Sequence, residues 1–324
     1  MKKSLRTVFM GTPEFAVATL DAILRAGHEV AAVVTTPDRP AGRGRQMRCS
    51  AVKNYALEHD LPLLQPEKLK EESFLTALRD CNADVFVVVA FRMLPQCVYA
   101  MPPMGSFNVH ASLLPQYRGA APIQRAIMNG ETKTGVSTFL LDEHTDTGAI
   151  LLQREVNIAR EDNAGTLHDK LMVVGAEAAV ETLRLIAAGE AVPIPQPKVE
   201  TLIPAPKIFK EDMLIHWDNQ AEVIYNHVRG LSPYPAAYTR IGLLQPDGMM
   251  PKPFGLKIYD VEITDQLSRR KPGEFAISSD GKITISTKNF DISVKMLQIE
   301  GKKCMQTKEF LAGFRPDNYT NYMF

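Results

Sequence analysis

The segment Phe107-Asn108-Val109-His110-Ala111-Ser112-Leu113-Leu114-Pro115 sets a carboxamide and an imidazole two residues apart in a run that reads as a β-strand. In a strand, that spacing sends both side chains out of the same face. Further along, Asp146 stands in the turn Thr145-Asp146-Thr147-Gly148. An amide, an imidazole and a carboxylate are what an enzyme needs to move an acyl group without a covalent intermediate. The amide stabilises a developing oxyanion, the imidazole moves a proton, and the carboxylate orients and charges the imidazole. Asn108, His110 and Asp146 are therefore the candidate catalytic set. Alone, His110 would read as an ordinary structural histidine near a strand end. Its place after Asn108 and ahead of Ser-Leu-Leu-Pro favours the functional reading. Asp146 could simply bond its own backbone, and His144 competes for the imidazole role from a segment that reads as loop.

These residues need a scaffold, and the chain supplies one. Residues 5–10 form a β-rich run ending at Gly11, and Thr12-Pro13-Glu14 opens a helix that stops at Gly27. Strands follow at 30–35 and 61–64, helices at 50–58 and 71–79, and the run Asp84–Ala90 is apolar on both faces. Strands alternating with helices, with one such doubly buried strand, predict an open, mostly parallel Rossmann-like sheet covered on both faces. The 106–110 strand would then deliver the candidate set to the carboxyl edge, where such sheets bind ligands. Strands at 135–141 and 150–158 flank the Asp146 turn, and an amphipathic helix over 166–188 completes the unit. Gly11-Thr12-Pro13 lacks the G-x-G-x-x-G pattern, no Walker A sequence occurs, and a tight strand–helix turn accounts for it.

Residues 191–206 carry five prolines, which predicts a stiff extended connector. Beyond it come a helix near 221–228 and five short alternating runs, the pattern of a small OB-like β-barrel. The expected division is a catalytic domain over 1–189, a linker over 190–207 and a barrel domain over 208–324.

Composition narrows the class. Hydrophobic content of 45%, charged content of 23% and zero formal net charge describe a globular protein with no overall field to attract nucleic acid. Cys49, Cys81, Cys97 and Cys304 are scattered, which argues against a disulfide framework or a zinc site and fits a reducing cytosol. The N-terminus does not read as a signal peptide, and no apolar stretch approaches the roughly 18 residues of a membrane span. A cytoplasmic protein is expected, and no heptad stripe points beyond a monomer. No metal is required by the candidate set.

The loop Asp38–Arg48 holds four arginines and two glycines between a strand and a helix. It is either a solvated surface loop or a phosphate-backbone contact, for which Arg39, Arg43 and Arg45 are the candidates. Residues 208–324 contain fifteen Lys/Arg against fourteen Asp/Glu, which is no nucleic-acid signature. Arg269-Arg270-Lys271 and Lys302-Lys303 could form a local patch or be turn-tip charges.

The chain resembles the 10-formyltetrahydrofolate-dependent formyltransferases, specifically those acting on methionine-charged tRNA. The matching pieces are Phe9–Phe15, Pro37–Gly44, Asn108–Ile123, the Asp146-Thr147-Gly148 turn, Pro206–Lys210 and Leu231–Ala236. Asn-x-His-x-Ser-Leu-Leu-Pro specifies the chemistry; the arginine loop and second domain point to the tRNA acceptor. The resemblance implies transfer of a formyl group from 10-formyltetrahydrofolate to the amino group of methionine on initiator tRNA, with the barrel domain along the tRNA. It places the folate against Ser112, Leu113, Leu114 and Pro115 and against Phe91, Arg92 and Met93. Phe91-Arg92-Met93-Leu94-Pro95 departs from the Tyr-Gly-containing version common in the family. Rival readings are a formyltransferase for a small amine such as an amino sugar nucleotide or purine precursor, a formyltetrahydrofolate hydrolase, and a non-catalytic tRNA- or folate-binding module.

Overall fold

The computed structural model describes residues 4–41, 46–244, 252–316 and 319–324, which form two compact units. The first comprises residues 1–122, 133–157 and 168–206; the second comprises 123–132, 158–167 and 207–324.

In the first unit, β1 (Arg6–Gly11), α1 (Glu14–Arg25), β2 (Glu29–Val34), a hairpin β3 (Arg39–Ala41) and β4 (Gln46–Arg48), α2 (Ala51–Glu58) and β5 (Leu63–Leu64) follow in turn. Next come α3 (Glu72–Asp80), β6 (Val85–Val89), α4 (Gln96–Tyr99) and β7 (Ser106–His110). The chain continues through α5 (Pro122–Met128), which belongs to the second unit from Ile123 on, then β8 (Lys133–Leu140), β9 (Ile150–Asn157) and α6 (Ala164–Ala188), whose first four residues also fall in the second unit. The sheet order is β5-β2-β1-β6-β7-β8-β9. Pairing is parallel from β5 to β7 and antiparallel from β7 to β9.

The mostly parallel sheet inferred from sequence is thus present, with the strand at 106–110 where it was expected. The order reverses between β1 and β6, so the carboxyl ends of those two strands border the switch point at which open α/β sheets take ligands, and β7 is the next strand. Every residue of β6 is buried, as its unbroken Val/Phe run requires. One sheet face carries Val8, Met10, Phe86 and Val88 packed with Phe74, Leu78 and Val98 of α3 and α4. Val109 lies on the other face, close to Phe15 and Gly175 of α6, and Thr138 there shares a 2.7 Å hydrogen bond with Thr182. Strand alternation therefore puts Asn108 and His110 on the α3/α4 side of β7.

The proline-rich segment is more than a spacer. Ile194 forms a two-way backbone bridge with Ile150 (2.7 and 2.8 Å). Farther on, Tyr117 N–H donates to Ile203 O at 2.7 Å, and Ala205 N–H donates to Arg118 O at 2.8 Å. Gly119 sits at φ +125°, and a Cβ there would overlap the Ala205 carbonyl, so this loop can close on the segment only with glycine.

The second unit contains α7 (Ala221–Leu231), β10 (Ala237–Leu243), β11 (Lys252–Leu267), β12 (Phe275–Ile277), β13 (Ile283–Ile285), β14 (Phe290–Ile299), β15 (Cys304–Gln306), α8 (Thr307–Gly313) and β16 (Tyr319–Met323). Its antiparallel path is β12-β13-β14-β11-β10-β16. Met323 N–H donates to Gly273 O at 2.8 Å and Glu274 bridges to Tyr322, which brings the ends of that path together into the expected barrel-like form. Ala221, Ile224, Val228 and Leu231 recur at helical spacing on α7 and are buried in the barrel core with Ile258, Ile292 and Leu297. Each buried Ile, Val or Leu of this set contributes roughly 1.5–3 kcal/mol. The closing elements β15, α8 and β16 were not evident in the sequence, because their pairing partners lie far along the chain.

Candidate active site

His110 ends β7 and is 7% exposed. Its Nε2 lies 2.8 Å from the Tyr117 carbonyl. A carbonyl can only accept, so Nε2 carries the proton in this geometry. Nδ1 faces Asp146 Oδ2 at 3.9 Å, too far for a hydrogen bond and close enough for charge stabilisation. The ring stands edge-on to Phe139, 6.5 Å between centroids, on the neighbouring strand β8. Asn108, two residues earlier, is partly exposed, and its carboxamide hydrogen-bonds to no described side chain or backbone group. A donor of fixed origin, without a hydrogen-bond partner among the described residues, is thus available beside a held imidazole.

Asp146 adopts φ +55°, a left-handed conformation that Asp tolerates better than most residues. Its Oδ2 accepts the Gly119 N–H at 2.8 Å. A Cβ on Gly148 would overlap the Leu140 carbonyl, so the end of this turn must be glycine for the carboxylate to reach β7. Gln196 closes the turn from outside: its Nε2 donates to the carbonyls of Asp146 and Gly148, both at 2.9 Å. Sequence reasoning missed Gln196, the Tyr117 carbonyl and the Gly119 amide. The latter two are backbone groups that leave no side-chain signal, and Gln196 was hidden in a segment read as a spacer.

Ser112, Leu114 and Pro115 are buried. The Ser112 hydroxyl donates to Gln116 O at 2.7 Å, and Leu114 packs with Phe139 and Ile150. These side chains hold the loop, and Leu113 is the partly exposed one of the four. At the end of β6, Phe91 packs against the α3/α4 core and Met93 is 70% exposed. Arg92 donates to the carbonyls of Glu67 (3.1 Å) and Pro66 (2.7 Å) and lies 5.3 Å from the Phe91 ring centroid. Burial, followed by the nearby Arg39 charge, pushes its pKa down.

Arg39 is exposed on β3, in register with Arg48; Arg43 and Arg45 lie outside the described residues. The base of this hairpin is anchored by Asp38, which pairs with Lys53 Nζ at 2.5 Å and accepts from Gln65 at 3.0 Å. The Lys53 bond holds the Asp38 carboxyl below its usual range. His144 is 70% exposed, and its ring lies 3.7 Å from the Glu143 carboxylate. In the second unit, Arg270 is turned onto Asp291 at 2.7 Å with further donations to Ser286 and Thr284. That guanidinium serves the barrel and not a surface patch.

This sheet and site belong to a known class: the chain is a member of the formyl transferase family, matching its formyl transferase domain over residues 5–183 and its C-terminal domain over 207–315. Among individual relatives, it is 47% identical over 318 residues to the methionyl-tRNA formyltransferase of Bacteroides fragilis, covering 97% of this chain and 96% of that protein. In fold it is similar to HypX from Aquifex aeolicus, solved in complex with tetrahydrofolic acid (TM-score 0.63, 16% identity, 95% of this chain and 47% of that one). It is also similar to an N-formyltransferase from Helicobacter canadensis, solved with folinic acid and dTDP-3-aminofucose (TM-score 0.60, 18% identity, 90% and 98% covered).

Proposed function

We infer that this chain transfers the formyl group of 10-formyltetrahydrofolate to the free amino group of methionyl-tRNA, giving N-formylmethionyl-tRNA for translation initiation. The observation that carries this reading is the near-full-length identity to a methionyl-tRNA formyltransferase, which spans both domains and not the catalytic half alone. Initiator tRNA is the acceptor, and the reaction belongs in the cytoplasm, where charged tRNA is used. No helix among the described residues is long and apolar enough to cross a membrane. A single chain is sufficient for this chemistry, since Asn108, His110 and Asp146 all come from one copy.

The chemistry follows from the geometry. The neutral amine attacks the formyl carbon and a tetrahedral oxyanion forms. Asn108, whose carboxamide bonds no group among the described residues, donates a hydrogen bond to that oxygen. With Nε2–H committed to Tyr117 O, Nδ1 is the basic nitrogen of His110. It takes the proton of the attacking amine, Asp146 stabilises the resulting imidazolium from 3.9 Å, and the proton passes to the departing N10 of the folate. The C–N bond to the folate breaks as the carbonyl reforms, so the formyl group moves directly between nitrogens. Tyr117 O thus fixes the tautomer and shares with Asp146 the task of orienting the ring. Part-exposed Leu113 and exposed Met93 offer the apolar surface a flat pterin requires, and Arg92 sets the backbone that carries Phe91 and Met93.

The barrel domain binds the tRNA body and the arginine hairpin its acceptor end. Arg39→Ala and Arg43→Ala are each expected to raise KM for charged tRNA about tenfold, the loss of one charge-assisted phosphate contact. KM for the folate should stay within about twofold; steady-state kinetics with each substrate varied will show this, and a selective rise in folate KM would mean the loop is misassigned. The function itself is tested by offering methionine-charged initiator tRNA, free methionine, an amino sugar nucleotide and water as acceptors in parallel. Formylation of the charged tRNA alone is expected. Folate turnover with the sugar or water would hand the site to a small-amine transferase or a hydrolase.

A further inference from the structure

The proline-rich segment reaches the backbone of the Asp146 turn through the side chain of Gln196. Gln196 donates both Nε2 hydrogens, to Asp146 O and Gly148 O at 2.9 Å each. Its Oε1 accepts twice from Arg118, from Nε at 3.1 Å and from a terminal nitrogen at 2.6 Å. The next residue after Arg118 is Gly119, whose N–H holds Asp146 Oδ2 at 2.8 Å. The contacts make a closed ring: carboxylate to Gly119, along the chain to Arg118, across to Gln196, and back to the Asp146 carbonyl. Every hydrogen-bonding atom of the Gln196 amide is used. The orientation is fixed as well, because Arg118 can only donate to the oxygen and the two turn carbonyls can only accept from the nitrogen.

The turn needs such a clamp. Asp146 sits at φ +55° without the freedom of glycine, a conformation that costs free energy and persists only where neighbours enforce it. Its carboxylate must also stay near His110 although the 3.9 Å separation gives no hydrogen bond between them to hold it there.

We propose that Gln196, locked by Arg118, is a positioning residue for formyl transfer: it holds the Asp146 turn so that the carboxylate stays opposite His110. This rests on the functional reading above and extends it to a residue outside the sheet and its loops. The segment carrying Gln196 is then part of the active site's supporting shell, and a small displacement there misplaces a charged group at the reacting centre.

The test is a double-mutant cycle on the full-length protein, with formylation of charged tRNA as the assay. Gln196→Ala is expected to lower kcat about tenfold or more, the scale of a small misplacement of a reacting group. KM for folate and for tRNA should each stay within about twofold. In an Asp146→Asn background the same change should cost less than about twofold further, because a clamp has nothing left to position. Gln196→Glu keeps the acceptor for Arg118 but sets an acceptor against the two turn carbonyls, and it should lose at least as much activity as the alanine variant while remaining folded. It also serves if the alanine variant fails to fold. Wild-type kcat in Gln196→Glu, or full additivity with Asp146→Asn, would overturn the proposal while leaving the formyltransferase reading intact. A wild-type protein without formyl transfer would overturn both.

Discussion

Alanine in place of His110 is expected to lower kcat for formylation of methionyl-tRNA by about a hundredfold or more, close to 3 kcal/mol of barrier. The expectation comes from the ring's commitments. Its Nε2 proton is held by Tyr117 O at 2.8 Å, its basic Nδ1 faces a carboxylate, and Phe139 packs on its flank. His144, the competing imidazole of the sequence, is exposed and faces Glu143 instead. The alanine variant also opens space beside Phe139, so its melting temperature should be measured with its kinetics. His110→Asn separates the two effects: it retains polar bulk but cannot take up the amine proton, and it should be as slow as the alanine variant. Near-normal turnover in either would remove His110 from the mechanism.

The second large effect is expected at Asn108. Losing one pre-placed oxyanion donor costs about a hundredfold to a thousandfold in kcat, so Asn108→Ala should fall in that range with KM for either substrate little changed. Packing cannot account for such a loss, because the carboxamide is partly exposed and makes no internal hydrogen bond to a described group. Asn108→Asp tests the sign of the interaction. A carboxylate is nearly the same size yet can only accept when ionised, so it should repel the oxyanion and be slower than alanine. An aspartate variant faster than the alanine variant would contradict the donor role.

Much of this site is readable in the sequence, for a physical reason. Strand alternation alone places Asn108 and His110 together, and the unbroken apolar run of β6 requires a sheet covered on both faces, which puts their strand end at a ligand-binding edge. Asp146 was legible as the candidate carboxylate of the set and as a residue suited to a turn; that it returns to His110 depends on Gly148 lying against the Leu140 carbonyl, a tertiary contact no local pattern encodes. Tyr117 and Gly119 contribute main-chain atoms, to which any residue type is blind. Gln196 was obscured by prolines at 193, 195 and 197, whose stiffness suits a spacer and equally suits a strut laid along β9 and the 116–121 loop. The arginine run was legible as cationic, and its β3–β4 pairing was not, because Arg39, Pro40 and Ala41 are poor strand signals.

The central claim is direct transfer at the Asn108–His110–Asp146 site, and single-turnover kinetics test it most directly. Enzyme in excess over 10-formyltetrahydrofolate carrying a labelled formyl group is mixed with methionyl-tRNA and quenched over milliseconds to seconds. The account predicts that label reaches the tRNA as fast as it leaves the folate, with none on the protein, and that His110→Ala slows both equally. Label accumulating on the protein before the tRNA, or released to water at the wild-type rate, would contradict it.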